Sequence, residues 1–343
     1  MVATVYEVAR RAGVSIATVS RVYSRPGVVA DATRLRVKAA ADELGYAPSA
    51  AARAMAKGAA GSIGLLVQDL ADPFHAAILA GVQREVRRAG LLLHCADHGD
   101  QPADEPMVLR ELAKQVDGLL LYTLRSPDDP ELTGAIGRPV PTVLIDNPAP
   151  AAPAVLMSTT DGFSQAVEHL AALRHDEVVY LAGDPPRSYP ATDRLRAVEV
   201  SCRRHDLALT VLGPFRPTFE SGVRAADLVI AAEATAVIAY NDQMALGLIR
   251  RLTERGIRVG PGLSVVGVDD TWVARQVTPA LTTVRMPCAQ AGAAAARLLI
   301  DLMAGQQDSA HRRITLSSEL IVRSSTGPAP PGTPRDRMEG TGS

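Results

Sequence analysis

The sequence predicts a small all-α helix-turn-helix domain followed by an α/β domain with two lobes, each built on a doubly wound parallel sheet. Helical periodicity around a glycine turn marks the first fifty residues, and short β-rich apolar runs alternate with amphipathic helices, in two successive sets, from Ile63 onwards. We place the boundaries at 1-48 for the helix-turn-helix domain, 49-61 for a hinge and linker, 62-323 for the large domain and 324-343 for a disordered tail.

The composition is typical of a soluble globular protein. The 343 residues are 47% apolar and 21% charged, without a run of about 18 apolar residues that could span a membrane. Residues 1 to 15 lack the basic-then-apolar order of an export signal. The widely spaced Cys95, Cys202 and Cys288 favour reduced thiols over disulfides or a metal site. We therefore expect a cytoplasmic protein without a metal or cofactor.

Positive charge is concentrated near the N-terminus. Residues 1 to 58 carry nine basic and four acidic side chains, a net +5, which leaves −6 for the remainder because the whole chain is −1. Clustered positive charge favours phosphate binding, since each neutralised phosphate releases counterions. A basic face that contacts only solvent is the alternative explanation.

Local signals predict two helices joined by a tight turn. Thr4 and Glu7 form a capping box that begins the first helix. Gly13 offers the positive φ that the turn requires, and Ser15 can cap a second helix extending to Tyr23. This arrangement is a helix-turn-helix whose second helix would be the recognition helix.

A third helix is expected from about Asp31 to Leu44, ended by Gly45. The residues predicted to close a core among the three helices are Val19, Val22, Val37, Ala40, Ala41 and Leu44. Periodicity alone does not distinguish this unit from any αα-hairpin with a glycine turn. The particular residues carry more information than their spacing.

From Thr4 to Arg21 the chain reads Thr-Val-Tyr-Glu-Val-Ala-x-x-Ala-Gly-Val-Ser-x-x-Thr-Val-Ser-Arg, followed later by Thr33-Arg34-x-Arg36-Val37 and Leu44-Gly45-Tyr46-x-Pro48. This long, gap-free pattern closely resembles the lactose-repressor (LacI/GalR) family of bacterial transcriptional regulators. By that resemblance, Ile16, Ala17 and Arg21 meet base edges in the major groove, where Arg21 can pair with guanine. The family positions that hold phosphates are Thr4, Tyr6, Ser15, Thr18, Ser20, Ser24 and Thr33. Ser24 is a departure, because the family usually has asparagine there.

Residues 49 to 57 are strong helix formers, but the segment is too short to be stable alone. It resembles the family's hinge helix, which orders when two chains lie side by side on DNA and inserts a side chain, usually leucine, into the minor groove. Met55 takes that place and is a suitable wedge, with Ala52 and Arg53 as neighbouring DNA contacts. Ser49 replaces the usual asparagine, and a flexible linker is the alternative. If this helix forms only on the operator, a ligand can control DNA binding by promoting or preventing its formation.

The large domain contains two sets of alternating strands and helices. In the first set strands are predicted at 63–67, 91–95, 118–122 and 140–145, with helices near 74–89, 105–115 and 129–137. In the second set strands are predicted at 178–181, 208–212, 236–240 and 263–268, with helices near 162–173, 191–205, 220–232 and 242–255. Two similar lobes imply a cleft between them.

This arrangement resembles periplasmic sugar-binding proteins, and the family resemblance continues to about residue 323. It includes Asp72-Pro-Phe74, Asn241-Asp-x-Met-Ala-Leu-Gly247 and Ser264-Val-Val-Gly-x-Asp-Asp270. In that fold the chain returns to the first lobe after about residue 287. The resemblance therefore implies an N-lobe of about 62-160 plus 288-323, a C-lobe of about 161-287, and three crossovers as the hinge.

Ligands of such folds bind at the carboxyl ends of the strands. The positions that match the family's effector-binding residues are Phe74, His75, Asp161, Arg194, Asn241 and Asp269. Their hydrogen-bonding groups suit a sugar or related polar metabolite. The alternative for each residue is a structural role, as a helix cap or as part of a salt bridge. Departures from the family at Val268, Ala197 and Pro217 leave the effector's identity open.

Enzymes are disfavoured. Gly58, Gly61 and Gly64 precede or open the first strand, so they cannot cradle a dinucleotide phosphate, and the chain has no GxSxG, Walker A or HExxH motif. A stand-alone solute-binding protein would need an export signal and no helix-turn-helix, and a sugar kinase would need a phosphate loop. The sequence thus predicts a ligand-responsive transcriptional regulator, most simply a repressor, that binds a palindromic operator as a homodimer and does not contact membranes. Whether the ligand releases the operator or strengthens its binding stays open.

Overall fold

The computed structural model describes residues 5–24, 26–44, 61–99, 101–136, 140–184, 188–306 and 312–331. Thr4 of the capping box, Gly45, and the predicted hinge contacts Ala52, Arg53 and Met55 lie outside these residues. The side chain of Ser24 also lies outside the description.

Three short helices form the N-terminal unit: α1 (Val5–Ala12), α2 (Ile16–Ser24) and α3 (Asp31–Glu43). Gly13 has φ +63°, and the Thr18 amide donates to Ser15 Oγ at 3.1 Å, as expected for the tight turn and the helix cap. The buried core of the unit comprises Val8, Ala9, Ala12, Val19, Val22, Val37, Ala40 and Ala41. The predicted three-helix core is confirmed.

The large domain has two lobes with alternating strands and helices. The elements of the N-lobe are β1 (Ser62–Val67), α4 (Pro73–Arg88), β2 (Leu92–Asp97), α5 (Glu105–Ala113), β3 (Gly118–Tyr122), α6 (Pro130–Ala135), β4 (Thr142–Ile145) and β5 (Ala154–Ser158). The C-lobe elements that follow are α7 (Thr160–Ala172), β6 (Glu177–Leu181), α8 (Tyr189–Arg204), β7 (Ala208–Leu212), α9 (Phe219–Ala231), β8 (Ala236–Ala239), α10 (Asp242–Glu254), β9 (Ser264–Asp269) and β10 (Thr282–Arg285). The last elements are α11 (Cys288–Met303), β11 (Arg313–Ser317) and β12 (Glu319–Ile321).

Each lobe is built on a six-stranded sheet, in the orders β11-β5-β4-β3-β1-β2 and β12-β10-β9-β8-β6-β7. All neighbouring strands are parallel except β12, which runs antiparallel to β10. The two doubly wound parallel sheets predicted from the sequence are therefore present. The central strands β1, β3, β4 and β9 are buried along their whole length, which explains their continuous apolar sequences.

Four strands were not predicted: β5, β10, β11 and β12. β5 follows a run of proline and alanine that resembles a loop, and β11 is an edge strand with alternating exposed and half-buried residues. Such strands have weak apolar signals, because their stability depends on pairing with distant segments.

The chain crosses between the lobes at Ser158–Thr160, at Arg285–Cys288 and at Ser317–Glu319. Three crossovers were expected, but one boundary needs correction. The prediction assigned residues 288-323 to the N-lobe, whereas 319–321 form β12 in the C-lobe sheet. The chain returns to the C-lobe at the third crossover, earlier than the prediction assumed. Ser318 at this crossover is buried and accepts a hydrogen bond from the Gly162 amide.

The boundary of the predicted disordered tail also needs correction. Residues 324–331 pack on the C-lobe, and Ser325 is fully buried. Its Oγ accepts from the Thr282 amide at 2.8 Å and donates to the Val265 carbonyl at 2.6 Å. Polar, proline-rich composition misled the prediction because the hydrogen bonds of this segment are all made with residues distant in sequence.

Among the described residues, no helix combines the length and apolarity needed to cross a membrane.

Candidate functional site

The recognition helix predicted from the sequence is α2, and it has two different faces. Val19 and Val22 are 1% and 2% exposed and pack in the three-helix core. Ile16 is 41% exposed on the other side, where Ala17, Ser20 and Arg21 are also exposed. Packing therefore fixes α2 so that the residues expected to read bases face solvent. Of the expected phosphate contacts that are described, Tyr6 and Ser15 are exposed and Thr18 and Thr33 are half-buried.

Three aromatic rings meet at the carboxyl ends of β1 and β3 in the N-lobe. The His75 ring lies 4.9 Å from Tyr122 and 5.3 Å from Phe74, and Phe74 lies 5.5 Å from Tyr122, measured between centroids. All three pairs are edge-to-face contacts, which stabilise buried aromatic clusters. Phe74 and His75 are positioned by Asp72, whose carboxylate accepts from the Phe74 amide at 2.8 Å and caps α4.

His75 is 4% exposed, and only one of its ring nitrogens has a partner. Nδ1 lies 2.8 Å from the Asp69 carbonyl oxygen, which can only accept, so Nδ1 carries the proton. Burial lowers the pKa of His75 and keeps the ring neutral, although Asp72 opposes this. Nε2 is then an acceptor, and it is buried without a hydrogen-bond partner in the structure.

On the C-lobe side, Arg194 of α8 is 4% exposed and contacts Asp269 and Tyr240. Its Nη2 donates to Asp269 Oδ1 at 2.8 Å, its Nη1 donates to the Tyr240 carbonyl at 2.6 Å, and its guanidinium lies 4.6 Å from the Tyr240 ring centroid. Burial alone would lower the pKa of Arg194, but Asp269 together with the nearby Tyr240, Tyr122 and Tyr180 outweighs it, and the pKa is raised. The guanidinium therefore keeps its charge.

Two buried carboxyl groups lie close to this arginine. Burial raises the pKa of Asp269 well above its usual range, and Arg194 opposes that rise. Burial also raises the pKa of Asp146 to about 6. Two groups oppose this rise: the Met157 amide, which donates to Asp146 Oδ1 at 2.9 Å, and the positive charge of Arg194. Asp146 directly follows β4 with φ +56°, a conformation that aspartate tolerates better than most residues. Both carboxylates therefore lack the solvation that an exposed group would have.

A cavity of about 500 Å³ opens between the lobes. Phe74 and Ala77 line it from α4, and Asp269, Trp272 and Arg275 line it from the C-lobe. The lobes also touch directly, because the Tyr189 amide of the C-lobe donates to the Leu124 carbonyl of the N-lobe at 3.0 Å. This volume suits a small molecule held between two lobes that are in contact.

The six predicted effector contacts are not equally placed. Phe74 and Asp269 line the cavity between the lobes, while His75 is buried against Phe74 and Arg194 is buried in contact with Asp269. Asn241 is 5% exposed, but its side chain caps α10 by accepting from the Met244 amide at 2.9 Å and donates to the Pro217 carbonyl at 3.1 Å. Asp161 is exposed in the first turn of α7. Asn241 therefore serves as a helix cap, which was the alternative to effector binding.

Three further residues of the cluster were missed: Tyr122, Asp146 and Tyr240. Tyr122 is the last residue of β3, and Asp146 and Tyr240 each follow directly on a buried strand. Because carboxyl ends of parallel strands meet at one edge, applying that rule to every predicted strand would have found all three.

Comparisons with known proteins agree with this architecture. A model of bacterial regulatory proteins of the lacI family matches residues 4–49, and a model of the periplasmic binding protein-like domain matches residues 167–326. The HTH-type transcriptional repressor PurR of Vibrio atlanticus is 33% identical over 94% of this chain and 98% of its own length. The HTH-type transcriptional repressor CytR of Escherichia coli K12 is 32% identical over 96% of this chain and 97% of its own length.

Solved structures show the same fold. A Lac repressor dimer bound to operator and the anti-inducer ONPF has a TM-score of 0.83 and 30% identity, covering 95% of this chain and 100% of that one. A complex of the transcriptional regulator CelR with cellobiose has a TM-score of 0.67 and 31% identity, covering 94% and 99%.

Proposed function

Because the chain belongs to the LacI family of bacterial regulatory proteins, we propose that it binds a palindromic operator as a homodimer, under the control of a small molecule in its inter-lobe cleft. The chain is a transcriptional regulator with a helix-turn-helix domain and a ligand-binding domain, and its relatives are repressors rather than enzymes. A regulator of this kind acts on chromosomal DNA, so we place it in the cytoplasm.

The observation that carries the operator proposal is the two-faced helix α2. Its buried side fixes its orientation in the domain, and its exposed side presents Ile16, Ala17 and Arg21. A helix held in this way can enter the major groove, where Arg21 can donate two hydrogen bonds to guanine and the small apolar side chains can contact thymine methyl groups.

Dimerisation follows from the size of this surface. One recognition helix reads only half of a site, and two copies related by a twofold axis read a palindrome. A solved relative, the Lac repressor, is a dimer on its operator. The hinge segment 49-61 would form helices as a pair on DNA, with Met55 as the minor-groove wedge.

Control by a ligand is supported by the cleft between the lobes. Phe74 of the N-lobe and Asp269 of the C-lobe both line it, and the Tyr189–Leu124 hydrogen bond joins the two lobes. A ligand that binds the closed arrangement better than the open one shifts the equilibrium and, through the hinge, the affinity for DNA. Polar groups beside aromatic rings suit a sugar or related polar metabolite.

Selection of bound fragments from genomic DNA tests the operator proposal. We expect enrichment of one palindromic sequence, and Arg21→Ala should weaken binding to it by about 5- to 150-fold, equivalent to the about 1–3 kcal/mol of a bidentate arginine–guanine contact. Met55→Gly should weaken the same binding several-fold or more. Arg110→Ala, which removes an exposed arginine from helix α5 of the N-lobe, is the control. Failure to enrich any palindrome, both without ligand and with a ligand that binds the protein, would refute the proposal.

A further inference from the structure

A second cavity lies on the N-lobe, separate from the cavity between the lobes. It has a volume of about 760 Å³ and is bounded by helices α4 and α11 and by the edge strand β11. Among the described residues, none lines both cavities. Sites for small molecules typically occupy about 300–1,000 Å³, so this volume is sufficient for one. We call the cavity the arginine groove, because Arg84, Arg88, Arg297 and Arg312 line it.

Three of these arginines converge on one carboxylate. Glu85 Oε1 lies 2.9 Å from Arg88 Nη1 and 3.2 Å from Arg297 Nη1. Arg84 Nε lies 3.9 Å from the same oxygen. The Glu85 side chain is only 8% exposed, whereas all three arginine side chains are more than half exposed. Glu85 therefore holds three guanidinium groups at one place but neutralises only one of their charges.

The rest of the groove does not remove this excess of positive charge. Arg312, next to β11, adds one positive charge and Asp301 of α11 adds one negative charge. The lining thus has four arginines and two acidic residues, a net charge of +2. The helix dipole accounts for Arg88, which is in the last turn of α4, but the last turn of α11 contains no basic residue. Because like charges repel, this arrangement favours the binding of a further anion.

The floor of the arginine groove is apolar. Ala293, Ala294 and Leu298 of α11 are buried there, and Ile314 and Leu316 of β11 are half-buried. Apolar surface is stabilised when it is covered by an apolar group, which an inorganic ion does not have. A ligand that contacts both the floor and the arginines therefore combines an organic body with an anionic group.

We propose that the arginine groove binds a phosphorylated small molecule, with its phosphate among Arg84, Arg88 and Arg297 and its organic body on the apolar floor. Guanidinium groups donate pairs of parallel hydrogen bonds to phosphate oxygens, which the single ammonium of a lysine does not. A phosphate ester carries a charge of about −1.5 to −2 at pH 7, which matches the net charge of the lining. This site goes beyond the proposed function, because it is separate from the cavity assigned to the effector.

The arginine groove is connected to the cavity between the lobes through two helices. Phe74 in the first turn of α4 and Cys288 in the first turn of α11 line the inter-lobe cavity, and later turns of both helices line the groove. The helices are in close backbone contact between these ends, since a Cβ at Gly81 would lie 2.0 Å from the Ala289 carbonyl oxygen. A ligand in the groove would therefore contact the same two helices as a ligand between the lobes.

Probes that differ in charge and in their organic part test this proposal. They are phenyl phosphate, inorganic phosphate, benzenesulfonate and benzyl alcohol, titrated calorimetrically into the full chain at constant ionic strength and at about pH 8, above the second phosphate pKa of about 6. We expect phenyl phosphate to bind about 10-fold or more tightly than each of the others, because it alone combines two charges with an apolar body. The proposal is overturned if any of the other three binds as tightly, or if phenyl phosphate does not bind.

Substitutions in the groove locate the bound probe. Arg88→Ala and Arg297→Ala should each weaken phenyl phosphate about 10-fold, because each removes a charged hydrogen-bond donor. Arg87→Ala is the matched control, since Arg87 is exposed on the same helix as Arg88 but does not line the groove. Equal binding by Arg88→Ala and Arg87→Ala would contradict the proposal.

A third variant gives a readout that misfolding cannot imitate. Asp301→Asn removes a negative charge from the lining, so that its net charge rises from +2 to +3. We expect this variant to bind phenyl phosphate about 3-fold more tightly, and benzyl alcohol no more tightly than the unmodified chain does. Unchanged or weaker binding of phenyl phosphate would count against the proposal.

The basic DNA-binding domain also attracts phosphate groups, and Arg21→Ala distinguishes it from the groove. If phenyl phosphate binds more weakly to Arg21→Ala but equally to Arg297→Ala, the probe lies on the recognition helix and the groove proposal fails. Operator selection depends on α2 and the hinge, so its outcome is independent of binding in the groove.

Discussion

Arg194 and Asp269 form an ion pair that is almost completely removed from water, with side chains that are 4% and 6% exposed. Such a pair contributes little net stability compared with an apolar pair of the same shape, but removal of one partner leaves an uncompensated buried charge. The same two residues therefore act on stability and on the charge of the cleft.

We predict that Arg194→Met lowers the free energy of unfolding by about 3–5 kcal/mol, as in other broken buried pairs. Adding Asp269→Asn should recover part of the loss, because the remaining charge is removed. Urea unfolding measures both. The control is Arg250→Ala, which breaks the exposed Arg250–Glu254 pair and should leave the unfolding free energy nearly unchanged. Equal losses from the buried and the exposed substitutions would contradict this prediction.

Asp146 makes stability depend on pH. Burial raises its pKa from 3.8 to about 6, so between these values the folded chain binds the proton more tightly than the unfolded chain. Its ionisation therefore lowers the free energy of unfolding as pH rises from about 4 to 6, by about 3 kcal/mol in total. We expect the difference in unfolding free energy between the unmodified chain and Asp146→Asn to fall by that amount from pH 4 to pH 7. Parallel pH curves would show that Asp146 titrates normally.

At the level of secondary structure, helices α9 and α10 of the C-lobe pack closely against each other, with a glycine of each helix at the contact. A Cβ at Gly222 would lie 2.0 Å from the Met244 carbonyl oxygen, and one at Gly247 would lie 2.0 Å from the Phe219 carbonyl oxygen. Each glycine thus faces the backbone of the other helix, and neither backbone can give way as a flexible side chain could.

We predict that Gly247→Ala destabilises the chain by about 1–3 kcal/mol, because the two helices must move apart. Gly134→Ala on α6 is the matched control, since a Cβ there meets no atom of the described residues within 4 Å. That control should stabilise the chain by about 0.5–1 kcal/mol, because alanine favours helix more than glycine does. Thermal unfolding distinguishes the two signs, and a neutral or stabilising Gly247→Ala would disprove the close packing.

For the whole molecule, the segment after β12 completes the C-lobe. Besides the bonds of Ser325, His169 Nε2 lies 2.9 Å from Thr326 Oγ1, and the Ala329 amide donates to the Leu173 carbonyl at 2.8 Å. These contacts join the segment 324–331 to α7, β9 and β10, so this segment completes the packing of the C-lobe.

Truncation after Arg323 should therefore lower the free energy of unfolding by about 3 kcal/mol, since at least three hydrogen bonds of about 1 kcal/mol each are lost. Truncation after Pro331 is the control, because it removes none of the contacts described above. Denaturant unfolding of both chains decides the question, and equal stabilities would mean that the segment from 324 to 331 does not contribute.

The sequence by itself determined the features that depend on neighbouring residues. Gly13, the Ser15 cap and the spacing of Val19 and Val22 specify the helix-turn-helix, and the apolar runs specify most central strands, because caps, turns and periodicity act within a few positions. Only the tertiary structure decided which side chains share the cleft. Asp146, Arg194 and Asp269 come from three distant segments, and the burial that raises the pKa of both aspartates exists only once the chain has folded. The same holds for β12 and Ser325, whose partners lie about 35 to 60 positions earlier in the chain, where local pattern carries no information.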